Sequence, residues 1–106
     1  MSKHRIRYTQ QAADDLDAIF DYVAVENRDA AIKLLGAFDE SISRLADSPY
    51  IGAAIPSEEP MMLANGYRYL VVSPYMIFYR VFDSEVRIGR ILHSRQDWLH
   101  LLFGRR

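Results

Sequence analysis

From His4 to Tyr8 the chain alternates, with His4, Ile6 and Tyr8 on one side and Arg5 and Arg7 on the other. That period of two predicts a short strand, joined to a later sheet. The period then lengthens. Leu16, Ile19, Phe20 and Val23, extended by Ala12, form one stripe of a helix predicted from Gln10 to Val25, with Asp14, Asp17 and Asp21 on its opposite face. Thr9 is placed to cap this helix, and Asp14 and Asp15 to sit near its positive end. Glu26-Asn27-Arg28-Asp29 breaks the pattern, and Asn27 or Asp29 can cap a second helix from Asp29 to Ala46. Its apolar stripe is Ala31, Leu34, Leu35, Phe38, Ile42 and Leu45; Lys33, Glu40 and Arg44 point away. Ser48-Pro49 stops it, because a residue before proline is pushed out of helical geometry. Two such helices with a short connection make an antiparallel hairpin whose apolar stripes need a partner.

Tyr50 to Asn65 reads as a loop in which Met61 and Met62 are packing residues, and Gly66 closes it. Three short runs rich in Val, Ile, Tyr and Phe follow, broken at Ser73-Pro74 and at Asp83-Ser84. Breaks this short favour an antiparallel meander, since parallel neighbours need a long crossover. Ile77, Tyr79 and Val81 are expected on one face, and Met76, Phe78, Arg80 and Phe82 on the other. On the next strand Val86, Ile88, Arg90 and Leu92 should alternate with Arg87, Gly89, Ile91 and His93. The near-continuous apolar character implies cover on much of both faces. Ser94 or Asp97 can cap a short last helix with Trp98, Leu99, Leu101, Leu102 and Phe103, and Gly104-Arg105-Arg106 should fray. The expected fold class is α+β: β-α-α-β-β-β, an antiparallel sheet packed by a helix hairpin, with a short C-terminal helix.

The totals change this picture little. With 106 residues, half of them apolar, residues 1–106 are expected to form a single domain. There are no cysteines, which excludes disulfides and thiolate metal sites. No apolar run approaches the roughly 18–20 residues of a membrane span, and the charged start leads into no signal core. The expected compartment is the cytoplasm. Charge distribution says more. Residues 1–53 carry six basic and nine acidic side chains, and from Gly66 onward there are seven basic and three acidic. Arg68, Arg80, Arg87, Arg90 and Arg95 therefore mark either an ordinary sheet surface or a basic face for an acidic partner. The overall charge of −1 weighs against strong nonspecific nucleic-acid binding.

No phosphate-binding, dinucleotide-binding, zinc-protease or serine-elbow motif is present. The acidic stripe of the first helix lacks an inward-facing histidine and reads as a solvated face. His4, His93 and His100 are scattered, so no metal and no cofactor is expected. The densest polar group is His93, Ser94, Arg95 and Asp97. A histidine beside arginines can move protons in RNA cleavage while the guanidinium stabilises charge on the phosphate. The same residues equally make a strand end with internal ion pairs.

A series of short patterns carries a resemblance. These are Ala13-Asp14-Asp15-Leu16 with Ile19 and Tyr22, Leu45 with Ser48-Pro49 and Gly52, and Gly66-Tyr67-Arg68. Then come Tyr75-Met76-Ile77-Phe78-Tyr79-Arg80-Val81 and Arg90-Ile91-Leu92-His93-Ser94-Arg95-Gln96-Asp97. In this order and spacing the chain resembles the RelE/ParE superfamily of type II toxin–antitoxin toxins. The resemblance implies the β-α-α-β-β-β fold, a cognate antitoxin as partner, and one of two targets. RelE-like members cut mRNA on the ribosome; ParE-like members poison DNA gyrase. Arg68 matches an early basic position of the nuclease pattern and Arg95 a late one. Met76 replaces another basic position, and no tyrosine follows Tyr79. The resemblance thus leans to the ParE-like branch, without catalysis. Under the RelE-like alternative, Arg68, His93 and Arg95 are the nuclease candidates. A third reading is an antitoxin-binding module with little toxicity. Arg68, Arg80, Arg87, Arg90, Arg95 and Trp98 are the candidates for target or antitoxin binding.

Overall fold

The computed structural model describes residues 3–55 and 66–103. Expectations for Met61, Met62 and residues 104–106 lie outside the described residues. The elements are Arg5–Tyr8 (β1), Gln10–Glu26 (α1), Arg28–Ser43 (α2) with a 3-10 turn at Arg44–Ala46, Ala53–Ala54 (β2), Arg68–Val72 (β3), Tyr75–Val81 (β4), Glu85–His93 (β5) and Trp98–Phe103 (α3). Among the described residues no helix is long and apolar enough to cross a membrane.

The α+β class and the element order are those expected. The sheet order is β1-β5-β4-β3-β2. The meander β3-β4-β5 is antiparallel, and β1 lies parallel to β5 with Ile6 opposite Val86 and Arg7 opposite Arg87. The whole sheet is therefore mixed rather than antiparallel throughout. Everything between β1 and β5 serves as the crossover that a parallel pair requires. A two-residue β2 beside Arg68 and Tyr69 extends the far edge, an element too short to leave a periodic trace.

Both helices start on side-chain caps. The Thr9 hydroxyl oxygen accepts from Ala12 N–H at 3.1 Å, and Asn27 Oδ1 accepts from Ala30 N–H at 3.0 Å. Thr9 also ties α1 to the sheet, donating from its hydroxyl to the Gly89 carbonyl at 2.8 Å and from its backbone N–H to the Ile88 carbonyl. The helices cover one face. Ala12, Phe38, Ile42 and Leu45 meet Ile77, Tyr79, Val86 and Ile88, all buried. Each of the larger aliphatic and phenylalanine side chains among them contributes roughly 1.5–3 kcal/mol by leaving water. Leu35, expected in the buried stripe, is 37 % exposed, and the α1 stripe beyond Ala12 is only half-buried. The other face carries a smaller cluster, Ile55, Phe78 and Leu92 with Trp98 and Leu102 packed on it, so α3 gives the sheet its second cover.

One expected alternation fails. Val86 and Ile88 face the helices, but so does Ile91, while Leu92 joins Phe78 on the opposite face. The pairing passes from Tyr79–Ile88 directly to Phe78–Arg90, leaving Gly89 as the extra residue of a bulge. A Cβ there would stand 3.2 Å from the Tyr67 ring, a tight contact that glycine avoids.

Candidate interaction surface

Strand parity and the bulge sort the sequence-selected side chains into separate environments. Arg68 lies opposite Tyr79. It donates to the Gly52 carbonyl at 2.8 Å and the Tyr50 carbonyl at 3.3 Å, and its guanidinium lies 5.1 Å from the Tyr50 ring. The buried Tyr79 hydroxyl accepts from Gly52 N–H at 2.9 Å. A Cβ on Gly52 would come within 2.7 Å of a Tyr79 ring carbon and 2.8 Å of the Tyr69 carbonyl oxygen. Arg68 and Tyr79 thus clamp the segment that leaves the second helix. Burial pushes the Tyr79 hydroxyl pKa up, against the opposing hydrogen bond from Gly52 and the charge of Arg68.

His93 lies opposite Tyr75, with the two rings edge-to-face at 5.4 Å. Its Nδ1 accepts from Arg95 N–H at 3.1 Å, and its own backbone N–H donates to Gln96 Oε1 at 2.7 Å. Arg95 is exposed, and its guanidinium pairs with no described residue. Beside His93 is an open cavity of about 620 Å³ that reaches Ile19 and Tyr22 of α1. Arg68 is not part of this group. Tyr79 and Tyr75, the partners of Arg68 and His93, are four residues apart on β4. That is about 13 Å along the strand, with two strand spacings across it. Among the described residues no three His, Asp or Glu side chains gather as a metal site.

Arg90 turns inward to α1. Its Nε donates to Asp15 Oδ2 at 2.8 Å and its terminal nitrogen to Oδ1 at 3.0 Å, while Ile91 N–H donates to the same carboxylate at 2.9 Å. The hydrogen bond to Asp15 raises the Arg90 pKa above its ordinary value, against the smaller effect of burial. Asp15, expected as a helix-end charge, is instead the latch of α1 onto the β5 edge that β1 leaves uncovered. Trp98 stacks on Phe78 with centroids 5.4 Å apart, which makes it part of the sheet's second cover.

Arg80 and Arg87 face each other across β4 and β5, away from the helices, and Arg7 faces Arg87 from β1. Arg80 lies over Tyr67 at 5.0 Å and beside Phe82 at 5.6 Å; Arg87 lies over Phe82 at 4.4 Å. Glu85 bonds Arg87 at 2.8 Å and approaches Arg7 at 3.9 Å. Arg5, opposite Glu85, shares this face. Arg5, Arg7, Tyr67 and Phe82 were not singled out as site residues. The alternation of Arg5 and Arg7 with Ile6 was the available signal, but the parallel pairing that brings them to Arg87 spans the chain. A different surface lies on the hairpin, where Leu16, Phe20 and Leu35 line an open groove of about 410 Å³ rimmed by Asp17 and Asp21. Farther along α1, Tyr22, which borders the His93 cavity, and Val25 are 78 % and 83 % exposed. Exposed apolar surface with a polar rim marks contact sites for other proteins.

Known proteins resemble this chain in sequence and in fold. The family model described as the ParE toxin of the type II toxin–antitoxin system parDE matches residues 6–98. The "Putative toxin Y4kP" of Sinorhizobium fredii is 32 % identical over 104 residues, covering 96 % of this chain and 100 % of that one. A structure of the chromosomal ParDE system of P. aeruginosa superposes with a TM-score of 0.67 at 33 % identity, over 86 % of this chain and 96 % of that one. The RelBE2 toxin–antitoxin complex of Mycobacterium tuberculosis shares the fold, with a TM-score of 0.60 at 22 % identity, covering 86 % of this chain and 98 % of that one.

Proposed function

The chain belongs to the ParE toxin family of type II toxin–antitoxin systems, and from that premise we propose that it binds and poisons DNA gyrase without catalysis of its own and is neutralised by a cognate antitoxin. The observation that carries the reading is the commitment of Arg68 to the Tyr50 and Gly52 carbonyls, about 13 Å along the sheet from His93. A phosphate held by His93 and Arg95 would be out of its reach. Met76 in place of a basic residue supports the same reading, since it packs with Phe78 and Leu92. The 33 % identity to a protein of a ParDE system supports it further. In the test, purified gyrase is assayed for supercoiling with added toxin. Supercoiling should stall and cleaved DNA accumulate, with growth arrest on induced expression. Gyrase unaffected at micromolar toxin removes the proposal.

The free guanidinium of Arg95 beside His93 favours one second reading, a ribosome-dependent mRNA endonuclease. Mapping mRNA 5′ ends in a translation extract separates the two. Codon-phased cuts that disappear in His93→Ala or Arg95→Ala would put the nuclease first.

A further inference from the structure

The outward arginines form a row across three strands on the sheet face turned away from the helices. Residues directly opposite in a sheet repel when they carry like charge; here Arg7, Arg87 and Arg80 stand opposite one another across three strands. The row is held open by its neighbours. Arg80 is stacked against Tyr67 and Phe82, Arg87 against Phe82, and Glu85 ties Arg87 to Arg7 from below with only 13 % of its side chain exposed. Stacking fixes a guanidinium plane; Arg80 keeps its whole N–H edge for a planar, bidentate acceptor, and Arg87, whose Nε donates to Glu85, keeps its terminal nitrogens. Arg68 and Arg90, which share the sheet, are spent on internal carbonyls and on Asp15.

We propose that the face formed by Arg7, Arg80, Arg87 and the Phe82 ring docks an acidic helical segment of a partner protein. The inference rests on the reading of the chain as an antitoxin-held toxin, which makes the antitoxin the natural bearer of that segment. The geometry sets the segment's pattern. Neighbouring strands are about 4.8 Å apart, so the outer members of the row are about 10 Å apart. A helix rises about 1.5 Å per residue, so carboxylates at i, i+3 or i+4, and i+7 match the row when the helix crosses the strands. Phe82, 39 % exposed, supplies the apolar centre between the charges; arginine and aromatic anchors of this kind dominate protein contacts. A nucleic acid fits less well. Tyr67 and Phe82 each already hold a guanidinium against the ring, which competes with the stacking of a base there, and a chain of net charge −1 has little long-range pull on a polyanion.

The test uses the full chain and three labelled probes: a helical peptide with glutamate at i, i+4 and i+7, its glutamine counterpart, and a thymidine oligonucleotide of equal charge. The glutamate peptide should bind with a salt-dependent affinity that falls about tenfold or more in Arg80→Glu/Arg87→Glu. Arg80→Gln/Arg87→Gln should fall less, and Arg28→Glu, on the hairpin, should bind as the parent does. Equal binding of the two peptides, no loss in the doubly reversed variant with its circular dichroism intact, or tighter binding of the oligonucleotide would each overturn the proposal. Gyrase poisoning is measured separately, so failure of this surface and failure of the toxin mechanism are distinguishable.

Discussion

Asp15→Ala should cost about 3 kcal/mol of folding stability, a large effect for one helix residue whose neighbours Asp14 and Asp17 are exposed. The magnitude follows from three bonds. Two come from the Arg90 guanidinium and one from Ile91 N–H, all to one carboxylate. Removing one partner of a buried ion pair costs about 3–5 kcal/mol, because the other is left charged and dry. The Arg90 and Asp15 side chains are 17 % and 14 % exposed, so water can recover part of the Arg90 solvation, which favours the lower end of that range. The orphaned Ile91 N–H accounts for about 1 kcal/mol of that cost. In a domain of this size each kcal/mol lowers the Tm by about 4–8 °C, so the variant should melt roughly 12–24 °C below the parent. Urea and thermal unfolding of Asp15→Ala, Arg90→Ala and the double variant measure the coupling, expected at about 1.5–3 kcal/mol. Asp15→Asn, which keeps an acceptor for Ile91, should lose about half as much. A loss below about 1 kcal/mol in Asp15→Ala, or additive single losses, would refute the latch.

Tyr79→Phe leaves Gly52 N–H without its acceptor and should cost about 1–2 kcal/mol in the same unfolding assay. Gly52→Ala should cost more, and Tyr79→Phe should not rescue it, because the ring carbon and the Tyr69 carbonyl oxygen still obstruct a Cβ. Burial raises the Tyr79 pKa above its ordinary 10.0, so the fold favours the neutral phenol. That stability is fully present below about pH 10 and is lost as pH rises through the folded value. The parent should therefore weaken more steeply than Tyr79→Phe in alkali, and parallel curves would contradict the burial argument. Arg68→Ala should free the Tyr50–Gly52 segment, seen as faster amide exchange at Gly52 with β5 amides unchanged.

The helix hairpin was legible because its signals are local. Thr9, Asn27 and the i, i+3, i+4 stripes lie within a turn or two of what they organise. The meander was legible for the same reason, its strands being joined by turns at Ser73-Pro74 and Asp83-Ser84. What escaped is non-local. A period-two reading carries the faces of β5 past Gly89 unchanged, but the register shift there is set in the pairing with β4, and the room at Gly89 is bounded by Tyr67, which is distant in sequence. Arg5 and Arg7 look like the polar side of an isolated strand until parallel pairing sets them beside Glu85 and Arg87. Asp15 looks like one aspartate among several on α1, and only the uncovered edge of β5 distinguishes it from Asp14.

The fate of the arginines bears on mechanism. Phosphodiester cleavage needs its acid, its base and its charge-stabilising groups within hydrogen-bond reach of one phosphate. Bringing Arg68 to His93 would require β3 to slip four residues along β4, and that slip would pull Arg68 from the Gly52 carbonyl and strip β2 of its pairing. Of the three nuclease candidates, a site at this end of the sheet would keep His93 and Arg95 and lose Arg68, and would have to draw further groups from the ribosome. Poisoning by contact makes no such demand. It requires surfaces, and the sheet and the hairpin each present one: a basic row fixed by aromatic rings on one side, an acid-rimmed apolar groove on the other. The two are opposite in charge and belong to different layers of the fold, so a toxin of this shape can meet two protein partners without either occupying the other's place. Charge reversal on one surface should then leave binding at the other intact, and if a variant of Arg80 and Arg87 lost both of the proposed partners, antitoxin and gyrase, the two would share a face.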